Sequence, residues 1–247
     1  MLPISKYHGC GNNFIMIREK DLPAAVRTRP EDVRIAVYSD LAVQVCDINE
    51  GIGAGGMIIV REEPELEMVF FNQDGSRAPM CGNGIRCFAQ YCADKEIRLE
   101  AEYPVKTLAG DMIVEVRQDD PFRVRIDMGQ PVLDPAACKI SCEDFDYLDK
   151  DIPLADGSLQ RVDSLFMGTI HTVIFVDEID MEQVERLGEE ICNHPIYTEK
   201  TNVNFVKVVD RETLEVVTYE RGVGVTFACG TGACASVVVA NMKGLIG

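Results

Sequence analysis

Long apolar runs are missing from this 247-residue sequence. No stretch approaches the roughly 20 apolar residues that a membrane-spanning helix requires. The opening segment, MLPISKYHGCGNNF, also lacks an apolar core of the length that a secretory signal needs. We therefore expect a cytoplasmic protein without a membrane anchor.

Basic residues are few relative to acidic ones. The chain has 24 Lys and Arg against 41 Asp and Glu, a formal net charge of −17. Such a surface repels phosphate groups, so binding to nucleic acids and to anionic membranes is disfavoured. The net charge says little about a small zwitterionic ligand, whose recognition depends on local groups.

Biased composition and low-complexity tracts are also missing. Hydrophobic residues make up 47% of the chain and charged residues 26%, which is ordinary globular usage. Disordered, collagen-like and coiled-coil classes are therefore excluded. The length suffices for a sizeable core, in one large domain or two smaller ones.

Cysteine, by contrast, is plentiful, with ten in the chain. In a reducing compartment we expect most of these thiols to be reduced, and either buried as small apolar side chains or catalytic. Zinc prefers cysteines separated by two to four residues. Cys81 and Cys87 are six positions apart, and Cys229 and Cys234 are five apart. These pairs would point to different faces of a helix, so we expect no metal site.

Apolar periodicity predicts both helices and strands. Helical spacing is found over 31–46, from about Cys81, over 181–192 and from about Cys229. Strands are predicted over 14–17, 57–60, 65–71, 107–118, 122–129, 173–176, 204–209 and 215–220, with hairpins joining 57–60 to 65–71 and 107–118 to 122–129. We place a domain boundary near 129–135, which predicts lobes over 1–130 and 131–247.

The two halves of the chain carry a common pattern. In FFNQDGSRAPMCGNGIRC (70–87) and TYERGVGVTFACGTGAC (218–234), a strand ends in a polar residue, a glycine-containing turn follows, and Cys-Gly-x-Gly opens a helix. Asn72 precedes Cys81 by nine positions, and Glu220 precedes Cys229 by nine. Agreement in both element order and spacing indicates a duplication that yields two similar α/β domains.

Cys-Gly-x-Gly at a helix start suggests acid–base chemistry. The first N–H groups of a helix lack internal partners and carry the positive end of its dipole, so they bind anions and favour a thiolate. A carboxylate bound between two such helix ends would have one cysteine on either side of its α-carbon. That arrangement suits proton exchange at a stereocentre. Either motif alone would more often be structural, because cysteine is commonly buried and glycine is frequent near helix starts.

Five segments, in this order, resemble the signatures of diaminopimelate epimerases: HGCGNNF (8–14), the first repeat, MGTIH (167–171), TNVNF (201–205) and the second repeat. The resemblance covers nearly the whole chain. It implies a cofactor-independent, two-cysteine amino-acid epimerase of lysine biosynthesis. It also implies an α/β, α+β-like fold with two pseudo-symmetric lobes, each a mixed sheet wrapped around a central helix, and the substrate in the cleft between them. The all-round apolar final helix agrees with a buried central helix.

The resemblance also implies roles for individual residues. Cys81 and Cys229 match the acid/base pair, and His171 matches a histidine that assists one thiol. Positions that match the substrate-binding set are Asn12 near the reacting centre, Gly82, Asn83, Gly230 and Thr231 in the backbone cradle, and Asn72, Asn202, Glu220 and Arg221 at the far end of the substrate. Without the motifs, His171 would be interpreted as a core histidine and Glu220/Arg221 as a surface ion pair.

Departures from the family pattern leave the substrate open. Thr169 and Ile170 stand where the family usually has Asn-Pro, Val225 replaces a usual Glu, and Gly55 replaces a usual Asp. Two alternatives therefore remain: a racemase of another amino acid, such as histidine, acting by the same mechanism, and an inactive amino-acid-binding relative. Family members usually continue for several strands after the final helix, so we expect a shortened C-terminal lobe. A homodimer also remains open.

Overall fold

The chain forms two compact units, the first ending at Asp127 and the second beginning at Met128. The computed structural model describes residues 2–119, 121–140, 142, 144–226 and 228–247. Over these residues each unit contains one mixed β-sheet with few helices, seven strands in the first unit and six in the second. The predicted α+β fold of two sheet-based lobes is therefore confirmed.

In the first unit the strands follow one another in chain order across the sheet. They are β1 (Ser5–Gly9), β2 (Asn12–Arg18), β3 (Gly56–Arg61), β4 (Glu67–Asn72), β5 (Glu102–Thr107), β6 (Gly110–Asp119) and β7 (Phe122–Ile126). The helices are α1 (Ala24–Arg27), α2 (Glu31–Cys46) and α3 (Gly82–Asp94). The pairs β2/β3 and β4/β5 are parallel, and the others are antiparallel.

In the second unit the strands also follow chain order across the sheet, with one strand fewer. Its sheet order is β13-β12-β11-β10-β9-β8. The strands are β8 (Tyr147–Pro153), β9 (Leu159–Phe166), β10 (Ile170–Phe175), β11 (Asn202–Asp210), β12 (Thr213–Glu220) and β13 (Gly224–Thr226), and the helices are α4 (Met181–Cys192) and α5 (Gly230–Met242). Only β10/β11 is parallel among the described strand pairs of this unit.

Each sheet is buried on both faces at its centre, which explains the continuous apolar runs in its central strands. In the first unit, alternate residues of β2–β4 pack on α3 on one side and on α2 on the other. The second unit uses α5 and α4 in the same two positions. Helix α3 contacts strands from β1 through β4 and also β7, so the first sheet curls around it, as the family resemblance implies.

The final helix departs from its prediction. Although α5 is apolar all round, only one of its sides is buried, through Ala235, Val239 and their neighbours. Val237 is 49% exposed on the opposite side. Helix α3, in contrast, is buried over most of its surface. The prediction of an enclosed central helix is thus confirmed for α3 and wrong for α5, because the described strands of the second unit cover one side of α5 only.

All the predicted strands and helices are found, and both predicted hairpins are antiparallel pairs. The turn of the second hairpin includes Asp120, which lies outside the described residues. Sequence periodicity missed β1, β5, β8, β9 and β13. Several of these strands keep one exposed face, as the alternating burial of β1 and β5 shows, and therefore lack the apolar runs on which the prediction depended.

Candidate active site

Both repeated motifs place a cysteine at the start of a helix. Cys81 precedes α3 and Cys229 precedes α5, each with extended backbone angles. The Cys81 sulfur accepts a hydrogen bond from the Gly84 N–H, and the Cys229 sulfur accepts one from the Gly232 N–H, both at 3.4 Å. Each sulfur therefore occupies the position of a helix-capping oxygen, where N–H groups stabilise negative charge.

In the first unit the predicted site residues gather at one end of the sheet. Asn12 begins β2 opposite Gly9, and a Cβ on Gly9 would lie 3.2 Å from the Asn83 carbonyl oxygen at the start of α3. Asn72 ends β4, where its side-chain amide donates to the Ser76 hydroxyl at 2.9 Å. Strand β2, which Asn12 begins, and strand β4, which Asn72 ends, both contact α3, the helix that Gly82 and Asn83 open and that Cys81 caps.

Asn83 is almost fully buried although it lies in the first turn of α3. Its side-chain oxygen accepts a hydrogen bond from the Arg86 guanidinium, one turn further along the helix. Arg86 also donates to the Gly82 carbonyl at 3.3 Å. Arg86 was not predicted as a site residue, although its position in CGNGIRC is a signal that could have identified it.

The second unit gathers its predicted residues in the same way. Asn202 begins β11 opposite His171 of β10. Its side-chain oxygen accepts a hydrogen bond from the backbone N–H of Arg221 at 2.8 Å. Glu220 ends β12, and its carboxylate accepts from the Thr226 hydroxyl at 2.6 Å. The Arg221 side chain donates to the Glu199 carbonyl at 2.7 Å. Glu220 and Arg221 therefore have separate partners, unlike the surface ion pair that their adjacency suggested.

Thr169 lies in the turn that precedes β10. Its carbonyl accepts a hydrogen bond from the Met167 N–H at 2.8 Å. Gly168, between them, has a φ of +72°, and a Cβ there would lie 3.7 Å from the Thr231 methyl group. The turn that carries Thr169 therefore lies against the first turn of α5, next to Gly230 and Thr231.

The Cys229 thiol is held in a largely buried environment. Burial and the negative charge of Glu220 raise its pKa to about 11, against hydrogen bonds from the Thr231 hydroxyl and from the N–H groups of Gly232 and Thr231. The expected stabilisation by the helix start is present as these hydrogen bonds. It is outweighed by desolvation, so Cys229 is a neutral thiol near pH 7.

His171 is fully buried and hydrogen-bonded at both ring nitrogens. Its Nε2 lies 2.9 Å from the Thr231 Oγ1, and its Nδ1 lies 3.1 Å from the Asn204 side-chain amide. Burial, together with the positive charge of Arg221, lowers the pKa of His171 to about 3. His171 is therefore both a satisfied core histidine and a neighbour of the residue that contacts Cys229.

Sequence reasoning missed two polar residues of the second unit. Asn204 and Thr218 are buried on β11 and β12, and the Thr218 hydroxyl donates to the Asn204 side-chain oxygen at 2.9 Å. They alternate with Asn202 and Glu220, so the shared strand face is a signal that could have identified them. Within the described ranges, no group of three or more His, Cys, Asp or Glu side chains could hold a metal ion. Phe227 of the second motif lies outside these ranges.

The chain matches the family model described as diaminopimelate epimerase over residues 4–133 and 164–247. It is 37% identical over 250 residues to the diaminopimelate epimerase of Alkaliphilus metalliredigens, an alignment that covers 100% of this chain and 84% of that protein. It is 39% identical to the diaminopimelate epimerase of Caldanaerobacter subterraneus, over 97% of this chain and 84% of that protein.

Solved structures share the fold at low sequence identity. A hydroxyproline epimerase from Agrobacterium vitis has a TM-score of 0.67 and 14% identity, covering 99% of this chain and 78% of its own. A probable proline racemase from Agrobacterium radiobacter has a TM-score of 0.69 and 13% identity, covering 100% and 79%. No described helix has the length and apolar composition needed to cross a bilayer.

Proposed function

We propose that this chain, which belongs to the diaminopimelate epimerase family, is an isomerase that interconverts LL- and meso-2,6-diaminopimelate without pyridoxal phosphate. The observation that carries the proposal is the pair of helix starts at which Cys81 and Cys229 receive matching backbone hydrogen bonds. The two Cys-Gly-x-Gly motifs match each other both in sequence and in the hydrogen bond that each cysteine sulfur accepts. A single such motif would not distinguish a catalytic cysteine from a structural one.

In the proposed reaction the two thiols alternate as base and acid. One cysteine, as thiolate, removes the α-hydrogen, and the other, as thiol, delivers a proton to the opposite face of the carbanion. The raised pKa of Cys229 suits both duties, because the thiol holds its proton near pH 7 and its conjugate thiolate is a correspondingly stronger base. The N–H groups that open α3 and α5 would bind the reacting carboxylate, with Gly82, Asn83, Gly230 and Thr231 as the cradle and Asn12 nearby.

The far end of diaminopimelate carries a second ammonium and a second carboxylate. We assign these groups to Asn72, Asn202, Glu220 and Arg221. The Glu220 carboxylate can accept from the ammonium, and the Arg221 guanidinium can form a two-pronged hydrogen bond with the carboxylate. Thr169 offers only a short hydroxyl where the family usually has an asparagine, so the fit at this end decides between diaminopimelate and another amino acid.

The remaining assignments follow from the same proposal. We place the enzyme in the cytoplasm, in lysine biosynthesis, acting on a free amino acid without nucleic-acid or membrane partners. The lobes over 1–130 and 131–247 each contribute one cysteine. A measurement of molecular mass in solution distinguishes a monomer from the alternative of a homodimer.

Incorporation of solvent deuterium tests the function. Reduced enzyme in deuterium oxide, without added pyridoxal phosphate, should exchange the α-hydrogen of LL-diaminopimelate and form the meso isomer, as followed by proton NMR. Cys81→Ala and Cys229→Ala should each lower the epimerisation rate by on the order of 10²-fold or more, because each removes a general acid–base group. Cys142→Ser, at an exposed cysteine, is the matched control and should keep full activity.

A panel of L-amino acids analysed by chiral chromatography separates the alternatives. Turnover of diaminopimelate alone supports the proposal. Turnover of histidine or another amino acid instead would assign the same mechanism to a different substrate. Unchanged epimerisation in the Cys81→Ala/Cys229→Ala double variant would rule out two-thiol catalysis, and thermal stabilisation by diaminopimelate without isotope exchange would indicate a binding protein.

A further inference from the structure

A chain of buried polar side chains leads through the second unit to the catalytic sulfur. It runs from Asn204 on β11 through His171 on β10 to Thr231 in the first turn of α5, and we call these three residues the Cys229 relay. The Thr231 Oγ1 lies 3.4 Å from the Cys229 Sγ. We propose that Asn204 and His171 are positioning residues that direct the Thr231 hydroxyl proton onto the Cys229 sulfur. This inference rests on the proposed role of Cys229.

The orientation of the Asn204 amide is fixed by its neighbours. One terminal atom of this side chain lies 3.2 Å from the Thr172 backbone carbonyl, which can only accept a hydrogen bond. That atom must therefore be the nitrogen, Nδ2. The Thr218 hydroxyl donates to the oxygen on the other side. The two hydrogens of Nδ2 then face two acceptors, the Thr172 carbonyl and the His171 Nδ1.

This orientation fixes the tautomer of His171. An amide nitrogen cannot accept, so the His171 Nδ1 must accept and carries no proton. Burial keeps the ring neutral, so its one proton is on Nε2. The Nε2–H donates to the Thr231 oxygen at 2.9 Å. The Thr231 hydroxyl proton, which cannot point back at His171, is left for the Cys229 sulfur.

The strand register identifies the residues of the first unit that correspond to His171, Asn204 and Thr218. In β2/β3, Phe14 lies opposite Gly56, and in β10/β11, His171 lies opposite Asn202. Ile58, two residues after Gly56, is thus the counterpart of Asn204. Phe70, two residues before Asn72, is likewise the counterpart of Thr218, two residues before Glu220.

Phe14, Ile58 and Phe70 are buried apolar side chains packed beneath Cys81. The rings of Phe14 and Phe70 meet edge to face at 5.9 Å. An apolar core is therefore sufficient to support this helix start in the first unit. The second unit places three polar groups at the same positions, at the cost of desolvating them. The polar pair His171 and Asn204 therefore points to a task at Cys229 rather than to a requirement of the fold, and Thr218 satisfies the Asn204 side-chain oxygen.

The surroundings of Cys229 act against the effect of this hydrogen bond on the pKa of the thiol. Glu220 of β12 raises the pKa of the Cys229 thiol, and burial acts in the same direction. Arg221 acts on the neighbouring His171, whose pKa it lowers. The Thr231 hydroxyl and the N–H groups of Thr231 and Gly232 act against Glu220 and burial. Removal of the hydroxyl should therefore make the Cys229 thiolate harder to form.

Alkylation by iodoacetamide, followed by mass spectrometry of the Cys229 peptide, measures thiolate formation across pH. Thr231→Val should slow the initial alkylation rate of Cys229 about tenfold near pH 8, the factor for one pKa unit. Thr231→Ser, which keeps the hydroxyl, should restore the rate to within about twofold. Asn204→Leu should shift the profile in the same direction as Thr231→Val, because His171 is then free to change tautomer. The exposed Cys10 thiol gives an internal reference.

Thr218→Val is the matched control. It makes the same change at a buried threonine of the same cluster, but the Asn204 orientation is still fixed by the Thr172 carbonyl. Its Cys229 alkylation profile should therefore equal that of the wild type. An equal slowing in Thr218→Val and Thr231→Val, or none in Thr231→Val, would overturn the relay.

Imidazole ¹⁵N NMR on the wild type tests the relay without any variant. The chain has only three histidines, so the His171 signals can be assigned. They should report a neutral ring protonated at Nε2 throughout the neutral range, and a proton on Nδ1 would contradict the proposal. Isotope exchange in diaminopimelate tests the proposed function separately. Loss of that function would leave the thiol and NMR results unchanged, and a failed relay would leave wild-type exchange intact.

Discussion

Arg61 is a charged residue that the fold buries almost completely. It lies on β3 with a relative exposure of 7%. Its guanidinium contacts three carboxylates, those of Glu19 and Glu31 at 2.8 Å and that of Glu67 at 3.0 Å. A buried cation surrounded by three anions is stabilising only while the set is complete, because each ion has lost part of its hydration.

Replacement of Arg61 should therefore destabilise the protein strongly. We expect Arg61→Leu to lower the free energy of unfolding by about 3 kcal/mol at pH 7, because it leaves the carboxylates with less compensation. Arg117→Leu removes an exposed arginine that pairs with Glu115, and it should cost less than about 1 kcal/mol. Urea unfolding of both variants measures the difference, and similar costs would contradict this account.

The destabilisation caused by Arg61→Leu should be smaller at acidic pH than at neutral pH. Burial alone would raise the pKa of Glu31, but hydrogen bonds and charge from Arg61 and Arg34 lower it below its usual value of 4.5. A carboxyl whose pKa is lowered by folding stabilises the native state above its unfolded pKa and loses that effect as the pH falls through the folded value. The difference in the free energy of unfolding between wild type and Arg61→Leu should therefore decrease below about pH 4.5.

At the scale of elements, the two helix starts differ in how closely they approach the sheet. A Cβ on Gly84 would lie 3.2 Å from the Cys81 Cβ and 3.3 Å from the Ile58 side chain. A Cβ on Gly232 would overlap the Asn204 side-chain oxygen and lie 3.1 Å from the Thr218 hydroxyl. The second glycine of CGTG is thus required by the polar groups on β11 and β12.

Alanine substitution compares these two approaches. Gly232→Ala should destabilise the protein by about 1–3 kcal/mol, because the added methyl group must displace a buried hydrogen-bonded amide. Gly84→Ala should cost less, because a flexible Ile58 side chain can move and alanine favours the helix by up to about 1 kcal/mol. Urea unfolding provides the comparison. If Gly84→Ala destabilised the protein more than Gly232→Ala, the close approach of α5 to β11 would not be the reason for a glycine at position 232.

At the scale of the whole molecule, the dominant feature is the net charge of −17. Like charges on a compact surface repel one another, which favours the expanded chain. Dissolved salt screens this repulsion, since the Debye length falls from about 30 Å at 0.01 M to about 8 Å at 0.15 M. Folding stability should therefore increase with ionic strength at neutral pH.

Thermal unfolding in sodium chloride tests this expectation. Between about 0.01 and 0.15 M salt we expect the melting temperature at pH 7 to rise by about 2–4 °C, the shift for a gain of about 1 kcal/mol in a chain of this size. Near the sequence pI of about 4.6 the rise should largely disappear. A melting temperature that falls with salt at pH 7 would mean that specific ion pairs, such as those of Arg61, outweigh the general repulsion.

The sequence by itself determined the two helix starts, the central strands of both sheets and the duplication that relates them. These features have local signals: apolar runs where strands are buried on both faces, and Cys-Gly-x-Gly where a helix begins. Only the tertiary structure decided that α5 keeps an exposed side and that burial and Glu220 raise the pKa of Cys229. It also decided that Asn204, His171 and Thr231 meet in one hydrogen-bonded chain. Burial and hydrogen-bond partners depend on contacts between distant segments, and periodicity along one segment carries no information about them.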